Sequence, residues 1–99
     1  MVTEIAIIDV LVGHEAAFAA AFRDTGYELL ATTPGCISAK MYQSGENPSR
    51  FIGVNEWESE QAHLENFRGS DRYTKYGEAL RAHVAAAPVV EHFTNIMSM

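Results

Sequence analysis

The stretch Thr3-Glu-Ile-Ala-Ile-Ile-Asp-Val-Leu-Val12 decides how this chain folds. It is rich in Ile and Val, too short for a typical helix and followed by Gly13, which reads as a strand. Successive side chains of a strand point to opposite faces, so Ile5 and Ile7 occupy one face and Ala6, Ile8 and Val10 the other. A sheet with one wet side alternates apolar with polar residues. This strand offers apolar groups to both sides, so both faces of its sheet need cover.

Downstream of that strand, the prolines at 34, 48 and 88 fall where the apolar pattern changes period. From Glu15 to about Thr32 the chain is rich in Ala, Glu and Leu, and Phe18, Ala21, Phe22, Thr25 and Leu29 share one helical face. Gly26 inside this helix costs about 1 kcal/mol against Ala, and Pro34-Gly35 stops it. Cys36 to Gln43 and Arg50 to Glu58 read as two strands of an antiparallel hairpin, joined by the polar turn Ser44 to Ser49. Ser59 is placed to cap a second helix, with Glu60 favourable to its dipole. Gly69 and Ser70 interrupt that helix, and a further helical stretch from Asp71 to about Ala86 carries Tyr73, Tyr76, Leu80 and Val84. After Pro88, Val89 to Met97 reads as a fourth strand with Val90, Phe93, Ile96 and Met97 as apolar members.

The order β-α-β-β-α-β over 99 residues predicts one α+β domain, residues 1–99, with a ferredoxin-like antiparallel four-stranded sheet. Right-handed crossovers place both helices on the same face of such a sheet. The opposite face, itself apolar with Ile, Val and Phe side chains, has no segment left to cover it. Leaving such side chains wet forfeits several kcal/mol at about 25 cal/mol per Å², so the sequence predicts a homodimer packed sheet to sheet.

Thirteen acidic and seven scattered basic residues give a net charge of -6, which leaves no positive stripe for a nucleic acid. The longest apolar stretch, Ile5 to Val12, is broken by Asp9 and falls far short of the roughly 20 residues that cross a bilayer. A single cysteine, Cys36, and a start without a signal-peptide pattern make a reducing cytoplasm the expected setting.

Chemistry concentrates at Glu56-Trp-Glu-Ser-Glu-Gln-Ala-His-Leu-Glu-Asn-Phe67, where a strand carrying a large aromatic turns directly into a helix. His63 and Phe67 lie one helical turn apart and Trp57 at the strand end, so the three are placed to line one cavity. Trp57, and Phe67 still more, read first as core anchors. With a reference pKa near 6.5, a neutral His63 in an apolar cleft can take a proton from a phenol-like substrate; a solvent-facing or carbonyl-capping role is the alternative. Tyr73 and Tyr76 pack between helix and sheet or orient an aromatic ligand. His14, His63, His83 and His92 lack the spacing of a metal site. There is no phosphate loop and no Gly-x-Ser-x-Gly elbow.

Glu56-Trp-Glu-Ser-Glu-Gln-Ala62 and Pro88-Val-Val-Glu-His-Phe93, within this order of elements, resemble the antibiotic biosynthesis monooxygenase family over nearly the whole chain. The resemblance implies a dimeric α/β barrel and, in its quinone-forming members, oxidation of a polyketide phenol, anthrone or quinol by O₂ with no cofactor. Those members carry an Asn four residues before the Trp, a Tyr six after it and an Arg twenty after it. The corresponding residues here are Gly53, His63 and Gly77, and Trp57 is retained. The resemblance thus implies His63 as proton acceptor, Trp57 as ring-orienting group or indole N–H donor, and Asn55 as a replacement amide donor. Phe67, Tyr73 and Tyr76 would line the substrate site. Haem-degrading members use a Trp and a His that fall near Asn66 and Gly77. Alternatives are a non-catalytic barrel holding a small hydrophobic ligand, and a haem-binding protein using His63, His83 or His92.

Overall fold

The computed structural model describes all residues, 1–99. Strand β1 (Val2–Asp9) is followed by helix α1, which runs as Glu15–Ala21, a π turn Phe22–Gly26 and a last piece Tyr27–Ala31. Strands β2 (Cys36–Gln43) and β3 (Arg50–Trp57) form the hairpin. Helix α2 comprises Glu60–Ala62 and a π turn His63–Arg68; helix α3 (Asp71–Leu80) ends in a 3₁₀ turn, Arg81–His83, before β4 (Val89–Phe93). The sheet is antiparallel in the order β2-β3-β1-β4, the α+β ferredoxin-like arrangement expected.

The period-2 pattern of β1 sends Ala6, Ile8 and Val10 toward the helices, where they pack with Phe18, Phe22, Leu30, Phe51, Trp57, Phe67 and Leu80. Only 16 of the 99 residues are buried, because the sheet is roofed on one side alone. On the other side the register sets Ile7 opposite both Ile52 and Val89, and Ile52 opposite Tyr42. Val89 is 62% and Phe93 47% exposed there.

Several boundaries differ from the sequence reading. Strand β1 stops at Asp9, not Val12. Past it the Leu11 N–H donates to the His83 carbonyl, and Gly13 turns the chain at φ 95. Strand β4 stops at Phe93 because Phe93 already lies opposite Thr3, near the start of β1, so residues 94–97 have no strand beside them. Ile96 and Met97 are consequently exposed. Helix α3 ends at Leu80, short of Ala86, and Val84 instead bridges Val10. The buried face of α1 is Phe18, Phe22, Gly26 and Leu30, while Thr25 is exposed. A π turn takes one more residue than an α turn and advances the face accordingly. Gly26 is also required for close approach, since a Cβ there would lie 3.1 Å from Phe22 Cδ1 and 3.3 Å from Tyr76 Cε2.

Gly35 starts the return to the sheet at φ 92, and a Cβ there would stand 2.7 Å from the Ala62 Cβ on α2. Gly13 has a matching φ of 95 with nothing within 4 Å. A Cβ at positive φ costs roughly 1–2 kcal/mol, and overpacking adds about 1 kcal/mol or more. Gly35→Ala therefore lowers stability by at least about 1 kcal/mol more than Gly13→Ala, which urea denaturation midpoints at a shared m-value measure directly.

Candidate active site

The same alternation that points Ala6 and Ile8 inward points Glu4 inward, where it is 6% exposed. Strand register places Glu4 opposite Asn55 on β3 and opposite His92 on β4. A row of three polar residues therefore crosses the helix-facing side of the sheet at one level. Trp57 lies two residues beyond Asn55 on the same face of β3. Ser59 caps α2 by accepting a hydrogen bond from the Ala62 N–H at 3.0 Å, and the π turn that follows buries both His63 and Phe67.

These elements converge on one oxygen. Glu4 Oε1 accepts hydrogen bonds from Asn55 Nδ2 at 3.1 Å and Trp57 Nε1 at 3.0 Å, and His63 Nε2 stands 3.5 Å from it. All three contacts fall on Oε1, which leaves Oε2 without a partner on a residue that lines the central cavity. The His63 ring stacks on Trp57 with centroids 4.8 Å apart and faces Phe67 at 6.0 Å, so its plane is fixed. Burial lowers the His63 pKa below its ordinary value; His92 and Arg68 act the same way, and the charges of Glu4 and Glu60 oppose it. The imidazole is thus neutral at pH 7. Its other nitrogen, Nδ1, is 2.8 Å from His92 Nε2, and His92 Nδ1 is 3.5 Å from Glu60 Oε1.

The cavity has a volume of about 420 Å³, within the range of small-molecule sites. Its walls are mainly apolar, and Phe67, Tyr73 and Tyr76 stand together on one side, with Tyr73 and Tyr76 edge-on to Phe67. Burial, and then the Glu4 charge, push the Tyr76 phenol above its ordinary pKa; it stays a hydrogen-bond donor. Asn55 Oδ1 is buried with no hydrogen-bond partner, an acceptor aligned with the same wall. Gly53 and Gly77 also line the cavity. A Cβ on Gly77 would lie 2.5 Å from Arg81 Nη2, so the Arg81 guanidinium occupies the space that the missing side chain leaves.

The structure brings His63, Phe67, Tyr73, Tyr76 and Asn55 to one cavity. Trp57 is fully buried behind them, and its indole N–H is committed to Glu4, not free for a ligand. One of the two Asn55 amide hydrogens is likewise committed to Glu4, and the absent Gly53 side chain leaves space beside the amide nitrogen. Sequence reading missed Glu4, although a carboxylate in register with Ala6, Ile8 and Val10 on a buried face is the signal that finds it. It also read the histidines as isolated. They pair, His63 with His92 and His14 with His83, the latter Nδ1 to Nδ1 at 3.1 Å. No three His, Cys, Asp or Glu side chains cluster as metal ligands would, and no helix is long and apolar enough to cross a membrane.

Among known proteins, YczJ of Bacillus subtilis (strain 168), itself uncharacterized, is 30% identical over 96 residues, 97% of this chain and 100% of that protein. A Bordetella bronchiseptica structure assigned to the antibiotic biosynthesis monooxygenases superposes with a TM-score of 0.91 at 29% identity, covering 97% of each chain. Two others share the fold. ActVA-Orf6 of Streptomyces coelicolor, a monooxygenase solved with the ligand nanaomycin D, gives a TM-score of 0.85 at 21% identity, covering 99% of this chain and 89% of that one. A mutant form of SnoaB, a cofactor-independent oxygenase of Streptomyces nogalater, gives 0.82 at 19% identity, covering 99% and 95%. The sequence profile described as antibiotic biosynthesis monooxygenase matches residues 1–79, from β1 through nearly all of α3, and the chain belongs to that family.

Proposed function

We propose that this protein is a monooxygenase that oxidises an electron-rich aromatic, a polyketide phenol, anthrone or quinol, to a quinone with O₂ and no bound cofactor. The observation that carries this reading is the Glu4–His63 pair, 3.5 Å apart, on the wall of an apolar cavity large enough for a small polycycle. The oxygenases that share the fold support it, one of them cofactor-independent and one binding nanaomycin D.

On this reading the substrate ring lies against Phe67, Tyr73 and Tyr76, beside the Asn55 side chain. The Glu4 carboxylate takes the acidic proton and passes it to His63 Nε2, which stands 3.5 Å from Oε1, so the two work as one base. Trp57 is a positioning residue that holds the carboxylate by its indole N–H. The substrate carbanion then supplies electrons to O₂. For an anthrone the ring CH₂ becomes C=O, one oxygen atom enters the product, and the other leaves as water. Charge developing on the substrate oxygen is met by the Tyr76 hydroxyl and by Arg81, which takes the place of the arginine that quinone-forming members carry at the position of Gly77. Donors fixed at such an oxyanion contribute more than they would in water, because the site excludes solvent.

The open face of the sheet is assigned to a second copy of the chain. Ile5, Ile7, Ile52, Val54, Val89 and Phe93 give that face an apolar surface with no other cover, flanked by Glu91 opposite Ile5 and Lys40 opposite Val54, and pairing two such faces completes a barrel. Sedimentation is expected to give a dimer at micromolar concentration, and Ile7→Lys at the centre of that face to give monomers; a wild-type monomer overturns the assignment.

Bare Gly53 and Gly77 favour a second reading, a barrel that binds an aromatic ligand without turning it over. Oxygen uptake separates the two. With a model anthrone the wild-type protein is expected to consume one O₂ per quinone formed, with no oxygen returned on adding catalase. Glu4→Gln and His63→Ala lower kcat by about 10²-fold or more, and Arg81→Gln by about 10-fold. Binding of the anthrone without oxygen uptake establishes the second reading instead. A base whose pKa is depressed stays unprotonated further into acid, so kcat/KM is expected to hold level from pH 8 down to 6.5 and to fall only below that, with the fall abolished in the residual rate of His63→Ala.

A further inference from the structure

A row of polar side chains runs outward from His63 through His92 to Glu60, and nothing in the reaction above uses it. His63 is 1% exposed and cannot exchange a proton with water directly. Its Nδ1 meets His92 Nε2 at 2.8 Å. The His92 side chain is 16% exposed, and its Nδ1 faces Glu60 Oε1 at 3.5 Å, on a side chain 59% exposed. Exposure therefore rises along the outward path from His63 through His92 to Glu60. Four segments contribute: β1 supplies Glu4, the π turn of α2 supplies His63, β4 supplies His92, and the first turn of α2 supplies Glu60. Beyond these partners His63 faces only Trp57 and Phe67, with Arg68 nearby on its own helix.

We propose that Glu4, His63, His92 and Glu60 form a proton relay that connects the buried base to bulk water while substrate fills the cavity. The inference rests on the reading of Glu4 and His63 as the base. An N···N separation of 2.8 Å holds one N–H and one lone pair. A proton arriving on His63 Nε2 makes an imidazolium, whose Nδ1–H passes to His92 Nε2, and His92 Nδ1–H passes to Glu60 and water. Only N–H and O–H bonds change, and one positive charge leaves the site. Both imidazoles then sit in the opposite tautomer. The later loss of water from the oxygenated substrate requires a proton, and its inward passage restores the starting tautomers, so the relay is reset once per turnover. The two end contacts of 3.5 Å are at the limit of hydrogen-bond reach and tighten as the proton moves.

His92 and Glu60 are thereby positioning and proton-carrying groups that never touch the substrate. The test uses His92→Phe, which fills the same volume without ring nitrogens, and His92→Gln, which keeps a hydrogen bond to His63 but cannot relay. ¹⁵N NMR reads the water-exchange rate of the His63 ring N–H in the intact protein, and oxygen uptake reads kcat and KM with the anthrone. Both variants are expected to slow ring N–H exchange at least about 10-fold and to lower kcat about 10-fold at unchanged KM, with Glu60→Gln giving a smaller decrease. Added imidazole is expected to restore kcat in His92→Ala. Exchange as fast in both His92 variants as in the wild type overturns the relay. If the wild-type protein does not oxidise the anthrone, the proposed function fails, and the exchange rate still decides the relay by itself.

Discussion

A carboxylate on the inner face of a buried strand constrains the whole site. Glu4 sits among Ala6, Ile8 and the aromatic core, where an unpaired charge would cost several kcal/mol. Its environment answers that cost at one atom: an amide N–H from Asn55, an indole N–H from Trp57 and the His63 imidazole all address Oε1. Each of those groups is then committed, which fixes the Trp57 ring, and the stack of Trp57, His63 and Phe67 follows from it. The Glu4 oxygen without a partner, Oε2, is what remains on the cavity side.

Gly53 and Gly77 stand where, by the family resemblance, quinone-forming members carry Asn and Arg. Gly53 and Gly77 leave wall space. Asn55 stands beside Gly53, with its Nδ2 3.8 Å from where a Cβ on Gly53 would be, and the Arg81 guanidinium folds back over Gly77. The polar groups are shifted by two residues along a strand and by one turn along a helix, steps that keep a side chain on the same face.

Much of this was legible in the chain. Strand and helix order, the Cys36–Gln43 strand, the Ser59 cap and the apolar character of both sheet faces were read from periodicity and composition, because those properties are set by residues a few positions apart. His63 and Phe67 were placed beside one cavity, together with Trp57, from helical spacing and one strand-to-helix junction; Trp57 lies behind the wall, and Tyr73 and Tyr76 came to the site only through the family resemblance. Element ends were less legible. Whether Leu11, Ile96 or Met97 belongs to a strand depends on whether a neighbouring strand extends that far, and the π turns that advance the faces of α1 and α2 have no marker in the apolar pattern.

The sequence by itself determined the alternation that turns Glu4 inward and the helical face that carries His63, since both follow from local backbone geometry. Only the tertiary structure decided that Glu4 meets Asn55, Trp57, His63 and His92. Those partners come from three other elements, and what joins them is antiparallel register together with the seating of α2 on the sheet. A shift of one residue in that register would turn the same side chains to the opposite face.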